Sequence, residues 1–118
     1  MSERLTPRER IRKKKDFLDL YKKGSRYRDR YFNLVFLFNE LSFSRVGVVV
    51  SRKVGNAVRR NKIKRWLRTL FRRNKEVFRN PLDILIIATP DMGEATWQEL
   101  RTRYLAAAKK ISLKGSSF

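Results

Sequence analysis

Among the seventeen residues from Ala57 to Arg73 there are eight cations, Arg59, Arg60, Lys62, Lys64, Arg65, Arg68, Arg72 and Arg73, and no acid. Guanidinium and ammonium groups at this density bind phosphate: each donates charge-assisted hydrogen bonds, and arginine can offer two at once. Acid-base or nucleophilic chemistry has few residues to use. The chain lacks histidine and cysteine, and its eleven acids are scattered, with no close pair to hold a metal or share a proton. Binding a polyanion is what these side chains offer.

Helical periodicity positions them. Ile63, Trp66, Leu67, Leu70 and Phe71 recur at i, i+3, i+4, i+7 and i+8, the spacing of one buried face. Asn61, Lys64, Arg65, Arg68 and Arg72 fill the opposite arc, with Arg60 near the border. The series Arg60, Lys64, Arg68 and Arg72 sets like charges four residues apart, which repel by a few tenths of a kcal/mol per pair, about 0.2–0.5. A face kept only for solubility would intersperse acids. Gly55 permits a tight turn before the helix and Asn56 is a good N-cap.

The whole chain has 118 residues, a formal charge of +19 and a pI near 11.3, with 42% hydrophobic residues. One domain over residues 1–118 with a modest core is expected, carrying a charge suited to phosphate backbones. No cysteine points to secretion, no apolar run approaches the length of a membrane span, and no targeting segment is visible. A cytoplasmic location is the simplest reading.

Along the chain, residues 1–15 read as a basic arm, extended or loosely ordered, serving RNA backbone contact or solubility. Asp16 to Lys23 reads as a helix stopped by Gly24, on which Phe17 and Tyr21 are either core or a stacking surface for bases. Ser25 to Arg30 reads as a polar connection. Strands are expected at Phe32–Phe38 and Arg45–Lys53, the second with Val46, Val48 and Val50 inward and Gly47, Val49, Ser51 and Lys53 opposite. Asp83–Thr89 is apolar enough to be covered on both faces. Thr96 and Glu99 form a capping box for a last helix with a stripe of Trp97, Leu100, Tyr104, Ala108 and Ile111, and residues 112–118 read as a frayed tail. The order helix, strand, strand, helix, strand, helix implies an α+β fold, a small sheet with helices packed on one face and the other face open.

The run Gly55-Asn56-Ala57-Val58-Arg59-Arg60-Asn61-Lys62-Ile63-Lys64-Arg65 resembles the signature of the protein subunit of bacterial ribonuclease P. In that family the helix often carries Arg-Asn-Arg; Arg60 and Asn61 match, and Lys62 stands at the second arginine, keeping charge without the bidentate fork. The resemblance implies a fold like the second domain of the fifth small-subunit ribosomal protein, with a left-handed strand-helix-strand crossover. It implies that a catalytic RNA, holding most of the magnesium, removes the 5′ leader of precursor tRNA, and that this chain assists without catalytic or metal-binding residues of its own.

By position, Arg59, Arg60, Asn61, Lys62, Lys64, Arg65, Arg68 and Arg72 would contact the RNA subunit. Phe17, Tyr21, Val35, Val49, Ser51 and Lys53 would contact the leader. Neither a membrane nor an obligate protein partner is implied. The alternative is a ribosomal or RNA-chaperone-type protein that uses the same helix with no nuclease association.

Overall fold

The computed structural model describes residues 7–115. The elements follow as α1 (Lys14–Lys23), β1 (Ser25–Arg28), β2 (Phe32–Phe38), β3 (Arg45–Val49), α2 (Ala57–Arg73), β4 (Leu82–Ala88) and α3 (Trp97–Gly115). The four strands lie in the order β1-β2-β4-β3, with β4 antiparallel to β2 and parallel to β3. The sheet is therefore mixed, and α2 joins its two parallel strands.

Caps and periodicity fix α2 and α3 where they were expected, whereas α1 starts at Lys14, two residues before the expected Asp16, with no side-chain cap. Asn56 Oδ1 accepts the Arg59 backbone N–H at 2.9 Å and starts α2. Ile63, Leu67, Leu70 and Phe71 are buried. The capping box forms at α3: Thr96 Oγ1 accepts the Glu99 N–H at 3.2 Å, and Glu99 Oε1 accepts the Thr96 N–H at 3.2 Å. That helix continues through Gly115, with Ser112 buried, so the fraying expected from residue 112 does not begin there; residues 116–118 lie outside the described residues.

The helices divide between the faces of the sheet. α2 and α3 pack on the face presenting Phe32, Leu34, Phe36, Val46, Ile84 and Ile86. α1 lies on the other face, where Leu20 and Phe17 close over Val35, Leu85 and Ile11. This corrects the expectation of helices on one face only. Val35 and Leu85 form an apolar patch that needs cover, and α1 provides it for one end of the face.

Three further departures matter for the site. The stretch read as a polar connection contains β1, whose Tyr27 packs against the main core while Arg26 and Arg28 alternate to the α1 side. β3 ends at Val49, and a 3-10 turn at Arg52–Val54 follows, so Ser51 and Lys53 lie beyond the strand. The basic arm is ordered from residue 7, its first six residues lying outside the described ones. Arg10 bridges to Val46, the Ile11 N–H donates to the Val46 carbonyl at 2.9 Å, and the Glu9 carboxylate, 7% exposed, accepts from Lys75 Nζ at 2.7 Å. The arm is thus fastened along the outer edge of β3.

Candidate nucleic-acid interface

Two surfaces follow from this arrangement. The first is a groove of about 480 Å³ between α2 and the fastened arm, lined by Arg10, Asn61, Lys64, Arg65, Arg68, Thr69 and Arg72. Five of these seven are cations and none is an acid. The Arg68 guanidinium is pushed below its ordinary pKa, first by loss of solvent and then by the charge of Arg10. Arg72 Nε, and Arg60 Nε at the border, are buried with no hydrogen-bond partner among the described residues. An anion seated here would relieve the mutual repulsion and supply acceptors for unpaired donors.

The eight cationic-helix residues named from sequence do not all converge on this groove. Asn61, Lys64, Arg65, Arg68 and Arg72 line it. Arg59 turns the other way, donating from Nε to the Gly93 carbonyl at 2.8 Å and from Nη2 to the Ala95 carbonyl at 2.9 Å, with its guanidinium 5.4 Å from the centre of the Trp66 ring. Lys62 joins that flank, its ammonium 5.1 Å from the same ring. Arg10 is the lining residue that periodicity had no means of finding, because the arm reaches α2 only through its pairing with β3.

The second surface is a cleft beside α1, over the uncovered part of the sheet. At its closed end Arg45 binds Asp83 at 2.6 Å and Asp16 at 3.4 Å, fastening the start of α1 to β3 and β4. The Arg45 pKa is raised, foremost by the hydrogen bond to Asp83. Phe17 is half-buried, its ring against Gly47, whereas Tyr21 one turn later is 51% exposed. Val49, at 40% exposure, pairs with Ile87 on the same face, and Ser51 and Lys53 are exposed just past the end of β3. Val35 is completely buried at 0% and presents no surface to a ligand; the residue expected at the cleft serves instead as the floor beneath α1.

Sequence reasoning missed the polar residues at the open end. Tyr21, Arg26, Arg28, Asn33, Leu34 and Ile87 enclose about 250 Å³. The Arg26 guanidinium lies 4.4 Å from the centre of the Tyr21 ring. The available signal was the alternation Arg-Tyr-Arg at residues 26–28, too short to stand out.

Fold and surfaces together define a class: a small α+β protein with a strongly cationic helix face and a half-covered sheet. Its relatives are consistent. The family model described as Ribonuclease P matches residues 5–112. The ribonuclease P protein component of Thermotoga sp. (strain RQ2) is 47% identical over 115 residues, spanning 94% of this chain and 98% of that one. The RNase P protein from Thermotoga maritima superposes with a TM-score of 0.78 at 39% identity, covering 86% of this chain and 96% of that one. The Staphylococcus aureus RNase P protein gives 0.78 at 37% identity, covering 88% and 94%. The chain belongs to the ribonuclease P protein family.

Proposed function

We propose that this chain works as an electrostatic adaptor within ribonuclease P, binding the catalytic RNA subunit through the α2 groove and the 5′ leader of precursor tRNA through the cleft beside α1. The observation that carries the reading is the acid-free groove in which Arg10 joins Lys64, Arg65, Arg68 and Arg72. RNA subunit and substrate are both polyanions and repel. A +19 protein between them neutralises phosphates and releases counterions. If each of the five groove cations takes one phosphate, the slope of log K against log salt for the RNA subunit is roughly −3.5 to −4.5.

In this reading the RNA performs the endonucleolytic hydrolysis and holds most of the magnesium, while the protein supplies affinity. Leader contacts favour precursor over mature tRNA because only the precursor has those nucleotides. Stacking and phosphate contacts dominate the cleft, so discrimination among bases is weak. The family resemblance further implies a left-handed β3-α2-β4 crossover, as in the second domain of the fifth small-subunit ribosomal protein, against the general right-handed rule. A cytoplasmic location accords with the reading; among the described residues no helix is long and apolar enough to cross a membrane.

Reconstitution with ribonuclease P RNA at low magnesium tests it. Precursor cleavage should rise on adding the protein, and holoenzyme affinity should be greater for precursors with a leader than for mature tRNA. RNA binding without either effect would favour a ribosomal or RNA-chaperone-type protein.

A further inference from the structure

We infer that the edge strand β1 belongs to the cleft and builds there a subsite for one unstacked nucleotide of single-stranded RNA. Tyr21 is its stacking surface, Arg28 its phosphate contact, and Arg26 the positioning residue that holds the Tyr21 ring. The inference rests on the leader reading above and deepens it.

The placement follows from strand register. Arg26 pairs with Val35 and Arg28 with Asn33, so both arginines share the face that carries α1. α1 covers Val35 but leaves Asn33 half-buried, in a pocket of about 250 Å³ whose lining residues include no acid. Three groups meet there that a nucleotide can use. The Tyr21 ring is half exposed, with one side backed by Arg26, whose Nη2 also donates to the Tyr21 carbonyl at 2.9 Å. Arg28 is exposed and makes no hydrogen bond or ion pair with any described residue. The Asn33 carboxamide, both donor and acceptor, is likewise without a partner among the described residues.

A base stacked on tyrosine, a phosphate on a free guanidinium and a polar edge against a carboxamide satisfy all three. Charged residues on an edge strand also discourage pairing with other chains. That role requires neither the Arg26–Tyr21 stack nor the pocket.

The test uses holoenzyme reconstituted with ribonuclease P RNA, titrated with precursor and with mature tRNA over a range of salt. Tyr21→Ala should weaken precursor binding about 5-fold or more and leave mature tRNA binding unchanged. Arg28→Ala should weaken precursor binding and reduce its salt slope by about 1. Arg26→Ala and Arg26→Lys should each weaken precursor binding, and neither should add to the loss already caused by Tyr21→Ala. Unfolding midpoints should stay within about 3 °C of wild type, because these side chains are exposed.

If Arg28→Ala leaves affinity and slope unchanged while Tyr21→Ala weakens precursor binding, the β1 subsite is overturned and the leader reading stands. Additive losses from Arg26→Ala and Tyr21→Ala overturn the positioning role. If the wild-type holoenzyme fails to distinguish precursor from mature tRNA, the leader reading falls and this inference falls with it.

Discussion

Phe17 occupies the space a side chain at Gly47 would need: a methyl group there would come within 2.9 Å of Phe17 Cε1 and 3.2 Å of Leu85 Cδ1. The missing Cβ is what lets α1 settle onto β3. Gly47→Ala is expected to cost about 1–3 kcal/mol in urea unfolding, through strained packing. It should also weaken precursor binding by displacing the Phe17 ring. An unchanged unfolding midpoint would show that the ring moves aside freely.

Arg59 and Arg65 sit six residues apart on one helix yet should behave oppositely. Arg59 satisfies the Gly93 and Ala95 carbonyls, so Arg59→Ala is expected to lower stability by about 1–3 kcal/mol while leaving the salt slope of RNA-subunit binding unchanged. Arg65 lines the groove and is exposed. Arg65→Ala should leave stability within about 0.5 kcal/mol and reduce that slope by about 1. Denaturation and salt-dependent binding measured on the same two variants check the contrast.

Tyr104 is fully buried, and its hydroxyl has no hydrogen-bond partner among the described residues. Burial also pushes the phenol pKa up, so the ring stays neutral at ordinary pH. Tyr104→Phe removes a desolvated polar group while keeping the ring and should raise stability by about 1 kcal/mol. Calorimetry reads this directly; a loss of stability would mean that the hydroxyl is satisfied in solution.

The Tyr31 hydroxyl donates to Glu99 Oε2 at 2.7 Å. That bond is the foremost cause holding the Glu99 carboxyl below its ordinary pKa, ahead of its bonds to Thr96, and also the foremost cause raising the Tyr31 phenol. The Glu99 contribution is present above the ordinary carboxylate value of about 4.3 and is lost as pH falls through the lowered folded value. The Tyr31 contribution is present below about 10 and is lost as pH rises through the raised value. Urea titrations from acid to alkaline pH should show both losses in wild type; Tyr31→Phe should remove the alkaline one and reduce the acid one, since the Thr96 bonds to Glu99 remain.

The helical half of the fold was legible because its signals are local. Asn56, Thr96 and Glu99 cap where their spacing says, and the apolar stripes of α2 and α3 face the core as read, with Trp66 and Trp97 half-buried at its margin. What escaped depends on pairing across the sheet, which helical periodicity does not report. Ser-Arg-Tyr-Arg becomes a strand only because β2 lies beside it, and the arm is ordered only because Val46 and Lys75 receive it.

At the site, the groove-facing residues were visible on a helical wheel. The different fate of Arg59 was not, since its acceptors lie 34 and 36 residues away. Alternation correctly placed Val35 on the second face, but could not reveal that α1 covers it.

In the strand order β1-β2-β4-β3, the fourth and last-made strand of the sheet stands between two earlier ones. On a growing polypeptide, β2 has only β1 to pair with, and β3 has no neighbour except the bridge at Arg10, until residues 82–88 have emerged. An isolated two-stranded hairpin is marginal in water. A translation arrest or premature stop before Leu82 would therefore release a polybasic chain whose amphipathic helix has no sheet to lie on, prone to indiscriminate adhesion to nucleic acids and open to proteolysis.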